Sequence, residues 1–344
     1  ARALAFGALL VAVAADAVLP QDARCTDPSL GVVRMNAFGE IRGGDACQKG
    51  VDLFNYLTPQ LGNAIAGGNA TLGQAGTLGG LGRFSLGLRV NAVRAGIPDV
   101  EADEAEPSIG AVDRDFYPVK DRPLPMPQVE GAIGLFGGLP IGLASVGGVD
   151  ALFSGFYLPS ASADRVDFNG GGFKVGYGIR VGLLGETPVL PGISFTWARR
   201  DLPTVDIAAN PVGSDEVTLN EFTNETTAWR FVIGKGFGPV AVAAGYGKDA
   251  YKSSATVFYS VNENCGIGEP CPVEPVEPFR YSRDSKATSM FADLSLSLKL
   301  FRLVAEVGQM RVNDISAADF YNEFAQDPSK VRMFGSVAFR FGRD

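Results

Sequence analysis

The sequence predicts an all-β protein, a closed antiparallel transmembrane β-barrel of about ten strands, with twelve or fourteen as the alternatives. Three observations predict it: a two-residue hydrophobic period, its recurrence along the chain, and connections that alternate between tight and long. From Gly172 to Trp197 the residues Phe173, Val175, Tyr177, Ile179, Val181 and Leu183 fall on one side of the period, and Lys174, Gly176, Gly178, Arg180 and Gly182 on the other. After the break at Gly185–Pro188 the pattern resumes with Ile193, Phe195 and Trp197, as a hairpin requires. The same alternation runs through Phe84–Ala92, Met290–Leu300 and Val331–Phe341. A face of glycine and cation opposite a continuous apolar face suits a crowded lumen backed by a lipid-facing wall. In hydrocarbon every backbone N–H and C=O needs a partner within the protein, so repeated amphipathic strands must close on themselves.

Composition agrees. The 344 residues include 44 Gly and 23 Phe, charged residues make up 20%, and the mean hydropathy is only +0.11. A helical membrane protein would be far more apolar. The net charge of −8 excludes nucleic acid as a partner, because phosphate binding needs a basic surface.

In chain order, residues 1–17 read as a secretory signal peptide, with Arg2, an apolar run from Leu4 to Ala15 and small residues at Ala14 and Ala17. Residues 18–82 form an N-terminal periplasmic or hatch segment, with a short strand expected between Gly31 and Ile41. Its helix spans Val51–Ala66, where Leu53, Phe54, Tyr56, Leu57 and Leu61 belong to a stripe interrupted by Pro59. Two placements are open for it: a plug at or inside the periplasmic mouth, or a packing helix below the barrel. The small side chains of 67–82 follow. The barrel, 83–344, has strands expected near 83–96, 127–137, 140–156, 171–184, 191–204, 225–236, 239–259, 286–299, 302–313 and 330–342. Tight turns fall at 137–140, 185–191, 236–239 and 300–302, and long polar loops on the other side. That asymmetry, with an even strand count, is the outer-membrane pattern, with both barrel ends in the periplasm.

Histidine is absent, which removes Ser-His-Asp and Cys-His catalysis, imidazole metal sites and the Asp-His arrangement of omptin-type proteases. No catalytic residue, cofactor or metal site is expected. Cys25, Cys47, Cys265 and Cys271 read as disulfide cysteines of an exported chain, their connectivity open. Glu101, Asp103, Glu104, Glu106, Asp113 and Asp115 cluster in the first long loop without the spacing of a cation site. Parity points Arg89, Glu130, Lys174, Arg180, Arg230, Asp293, Lys299 and Arg340 into the lumen. Charges of both signs there read as salt-bridge ladders filling a small barrel, with a solute-selecting constriction as the alternative.

The run from Leu53 to Asp99, with its "YL-x-P" helix, Gly/Asn-rich segment and first strand ending at "VNAV", resembles an uncharacterised family of bacterial outer-membrane proteins. Pro125–Gly134 and the hairpin before Trp197 are similar to that family's strand-and-turn segments. The resemblance implies a small barrel with an N-terminal helix. More distantly, a helix ahead of the strands is similar to the FadL-like transporters of hydrophobic compounds, although the Asn-Pro-Ala hatch signature is missing. Two functions are therefore expected as alternatives. One is an outer-membrane channel or transporter for small compounds, hydrophobic ones among them; the other is a filled barrel, embedded in outer-membrane lipid, that docks a protein partner through its long loops.

Overall fold

The computed structural model describes residues 21–27, 34–35, 41–42, 44–99, 114–158, 160–163, 166–170, 172–209, 216–262, 273–275, 278–298 and 301–343. The expected signal peptide, Lys299, Cys265, Cys271, and all the acidic first-loop residues except Asp115 lie outside the described residues. The ten expected strands are present as β1 (Phe84–Pro98), β2 (Val119–Phe136), β3 (Gly148–Tyr157), β4 (Phe173–Leu184), β5 (Gly192–Asp201), β6 (Glu216–Phe237), β7 (Val240–Asn262), β8 (Phe279–Leu298), β9 (Phe301–Val312) and β10 (Arg332–Arg343). Each pairs antiparallel with its chain neighbours. β10 then returns to β1, from Phe334 opposite Val93 to Arg343 opposite Phe84, and the ring is closed. Two helices precede it, the single turn α1 (Ala23–Thr26) and the long α2 (Gly44–Ala66).

The strand ends differ from expectation in ways that share one cause. β2, β6 and β8 begin about seven to nine residues early, at the end of the barrel from which the long loops project. There the phase of the apolar residues inverts. Along β1, Leu86, Leu88 and Val90 point outward and are exposed, whereas Val93, Ala95 and Ile97 are buried. Along β7, Val242 and Tyr246 are outward, then Tyr251, Val257 and Tyr259 turn inward. Beyond the bilayer the outside faces water and the inside faces an apolar helix, so the greasy side changes. Fewer differences occur at the other end. The connection after β2 is not a tight turn, because Leu139–Ile141 and Ala144–Val146 form a small extra hairpin before β3 begins.

Two aromatic girdles bound the lipid-facing band. Phe84, Phe136, Phe237, Phe301 and Phe341 ring the short-turn end, with Phe301 and Phe341 centroids 6.1 Å apart. Tyr177, Trp197 and Trp229 mark the other, with Trp197 and Trp229 at 6.3 Å. Phe237 and Trp229 are separated by eight residues of β6, about 27 Å along the strand and roughly 20 Å in height at the usual tilt. An apolar band of that height matches the core of an outer membrane.

Of the two placements the plug is the one observed, since the long helix lies inside the ring, but it enters from the long-loop end rather than the short-turn mouth. It begins at the long-loop end, where a Cβ on Gly50 would lie 2.7 Å from Val257, and runs down inside the ring to Gly62, which abuts Tyr251. Leu53, Phe54, Tyr56, Leu57 and Leu61 are all buried against inward residues of the strands. Pro59 does not interrupt it, and helix continues through to Ala66; beside it the Gln60 side chain ties the helix to the wall, Nε2 donating to Tyr56 O and to Gly96 O of β1, both at 3.1 Å. A ten-stranded ring is about 20 Å across its Cα atoms, wide enough for one helix of 10–12 Å.

The lipid assignment makes a direct prediction. Ile233→Arg, on the outer wall of β6 midway between Phe237 and Trp229, should lower stability by about 2–4 kcal/mol in chemical unfolding from lipid vesicles. An unchanged midpoint would refute the wall's contact with hydrocarbon.

Candidate functional site

The site is the lumen below α2. At Ala66 the helix ends in the way helices end when a glycine is available: Gly67 adopts φ +59° and its N–H donates to Asn63 O at 3.0 Å. The last carbonyls of a helix have no partner within it and carry the negative end of its dipole. The barrel wall supplies donors to them. Asn91 Nδ2 donates to Ala64 O at 2.7 Å and Arg200 Nη1 to Ala66 O at 2.6 Å.

The chain from Gly67 to Gly82 then descends without regular structure, and its backbone is met group by group. Arg230 donates through Nη2 to Gly67 O at 2.8 Å and through Nε to Gly68 O at 2.6 Å. Arg89 Nη1 reaches Asn69 O at 2.7 Å, and Arg340 Nη1 donates to Leu72 O. The donors of the same coil face carboxylates: Asn69 N donates to Glu306 Oε2 at 2.6 Å, Gly73 N to Asp293 Oδ2 at 3.1 Å and Leu78 N to Asp150 at 3.1 Å. A buried coil has no helix or sheet of its own to satisfy it. Charges of both signs inside this barrel serve that need.

The same charges pair with one another. Arg89 meets Glu306 at 2.7 Å, Arg180 meets Asp150 at 2.6 Å and Arg230 meets Asp249 at 2.7 Å, every one of these side chains essentially inaccessible. Space for the guanidinium groups comes from glycine; a Cβ on Gly247 would stand 2.6 Å from Arg230 Nη1. Glu130 is buried 3.6 Å from Arg89, with no hydrogen bond to either oxygen among the described residues.

Of the residues that parity pointed inward, Arg89, Glu130, Arg180, Arg230, Asp293 and Arg340 are buried around this coil. Lys174 is not among them: it sits near the long-loop end of β4 and is exposed, because the ring there opens to water. Arg200, Asp150, Asp249 and Glu306 complete the network and were overlooked, although each lies on the inward phase of its strand. Extending the alternation through every strand would have found them.

At the long-loop mouth, Cys25 of α1 is disulfide-bonded to Cys47 of α2. Arg24 stacks over Phe279 and Tyr281, 4.6 and 4.7 Å from their centroids, and pairs with Asp22 at 2.8 Å. Asp52, on the buried side of α2 above the membrane, accepts from Asn322 N and Nδ2 at 2.9 Å and from Gln48 at 3.0 Å. Burial pushes its carboxyl up to about 6 against the pull of those hydrogen bonds.

Closed ring, apolar outer band and alternating connections define the class: an outer-membrane β-barrel, with its lumen occupied by its own N-terminal segment. No protein-family model matches the sequence, and no curated protein does. Among solved structures the chain is similar to the translocator domain of autotransporter NalP from Neisseria meningitidis, at 8% identity over 88% of this chain and 98% of that one, with a TM-score of 0.35. It is similar also to the outer membrane protease OmpT from Escherichia coli, at 9% identity over 76% and 97%, with a TM-score of 0.28. A mutant of the monoaromatic hydrocarbon channel TodX gives 8%, 76%, 89% and 0.28 for the same quantities. The likenesses are remote, and the fold assignment rests on the ring's own hydrogen bonding.

Two outcomes follow. Arg230→Met removes the donors to Gly67 and Gly68 and strands Asp249, so local opening of the coil should become easier by about 3–5 kcal/mol, read as lost hydrogen-exchange protection over residues 67–73. Asp52 has a raised folded-state value, so its contribution to docking the 320–322 segment is fully present below its ordinary value of 3.8 and lost as pH rises through about 6. Protection of the Asn322 amide, corrected for intrinsic exchange, should fall between pH 4 and pH 7, and Asp52→Asn should flatten that dependence.

Proposed function

We propose that the protein is a filled outer-membrane anchor whose N-terminal segment runs through its own barrel to the outer face, where it and the long loops offer a docking surface to a protein partner. One observation carries this reading: α2 begins at the long-loop mouth, and the coil that follows leaves at the short-turn end, so peptide occupies the lumen along its length. Side chains reach that peptide from strands all round the ring. The reading assigns no catalytic residue.

A gated channel for small hydrophobic solutes is the second reading. It is favoured by the lower half of the plug being coil held through polar contacts, which competition by water weakens more readily than apolar packing.

Both readings are tested together by placing an epitope just before Asp22 and recording the folded protein in a planar bilayer. The anchor reading expects antibody binding on intact cells and a silent bilayer. Stepwise conductance would favour the gated channel, and an epitope reached only after the outer membrane is permeabilised would overturn the outward route of the segment.

A further inference from the structure

The outer wall of β7–β9 carries an unpaired basic cluster at the upper edge of the apolar band. In the register of these strands Lys248 lies opposite Thr288, and Thr288 opposite Arg311; Lys286 lies one outward position further toward the long loops, opposite Ala250. Lys248, Lys286 and Arg311 are exposed on the lipid-facing phase, at the level of Trp229, which is opposite Lys248 on β6. Strand spacing puts their Cα atoms about 7–10 Å apart, so three flexible side chains can converge on one small anion. None forms an ion pair with a described residue. The neighbouring carboxylates are engaged elsewhere or lie to one side: Asp249 points inward to Arg230, Asp284 lies opposite Lys252, and Asp314 accepts from the backbone N–H of Lys286 without pairing with its ammonium group.

A cation where a membrane wall meets water costs little by itself, and three gathered there repel one another and attract anionic headgroups. Directly below them the wall is Tyr246, Met290 and Leu294. It continues into an apolar groove of ≈ 860 Å³ bordered by Leu294, Leu303, Val337, Phe339 and Leu88. Thr288 and Leu294 are six residues apart, about 20 Å along the strand, the reach of an acyl chain. We propose that this face binds one phosphorylated glycolipid of the outer leaflet, with phosphate on Lys248, Lys286 and Arg311 and acyl chains down the wall toward the groove. The long-loop side is the outer side, which selects the outer-leaflet source.

The folded full chain in neutral detergent is exposed to lipid A, to phosphatase-treated lipid A and to phosphatidylglycerol, and retained lipid is counted by native mass spectrometry. Lipid A should be retained, and removal of its phosphate should weaken retention about tenfold. The triple variant Lys248→Gln/Lys286→Gln/Arg311→Gln should lose retention to the same extent. Arg199→Gln, whose charge is already met by Glu225 at 2.6 Å, should not. The comparison of the two lipid A forms on the unaltered protein needs no variant to fold. Equal retention of both forms, or an undiminished triple variant, would overturn the phosphate site; phosphatidylglycerol held as tightly as lipid A would overturn the outer-leaflet assignment.

Discussion

Hydrocarbon offers a backbone amide nothing to bond with, and that single deprivation organises the protein twice. On the outside it forces ten strands into a ring with no free edge, so that β10 must find β1. On the inside it recurs in another form, because a peptide that leaves its helix at Ala66 must descend through a space largely sealed from water. The ring solves the first case with strand pairing and the second with side chains. Arginines donate to the carbonyls of Ala66, Gly67, Gly68, Asn69 and Leu72, and Glu306, Asp293 and Asp150 accept from the amides.

This explains why the inner surface is divided. Where α2 fills the ring, the strands present Val93, Phe222, Tyr251 and Val257, since a helix with its own hydrogen bonds asks only for apolar contact. Below Gly67, where regular structure stops, the same strands present charge. The change in the wall follows the change in the plug. Buried ion pairs are poor sources of stability by themselves. Within this lumen their value lies in fixing one path for a coil that has no intrinsic shape.

Much of the ring was legible in the sequence because lipid on one side and a lumen on the other impose a strict two-residue period, as from Phe173 to Leu183 and from Met290 to Leu298. The expectation failed where that contrast fails. Beyond Trp229 the solvent outside changes from lipid to water, the apolar phase moves inward at Leu219 and Phe222, and the upper third of β6 goes unread. The placement of α2 was not legible, because an amphipathic stripe such as Leu53, Leu57 and Leu61 states that a helix is covered without stating by what. Arg200 and Asp249 were available from parity alone.

The bond between Cys25 and Cys47, 22 positions apart, closes a covalent loop in the chain at the outer mouth. A peptide looped back on itself is thicker than a single extended strand, whereas the neck formed by Arg89, Arg200 and Arg230 is filled by one strand alone. The loop is therefore wider than the neck beneath it, and with the bond in place the segment is barred from passing back through the ring toward the short-turn end.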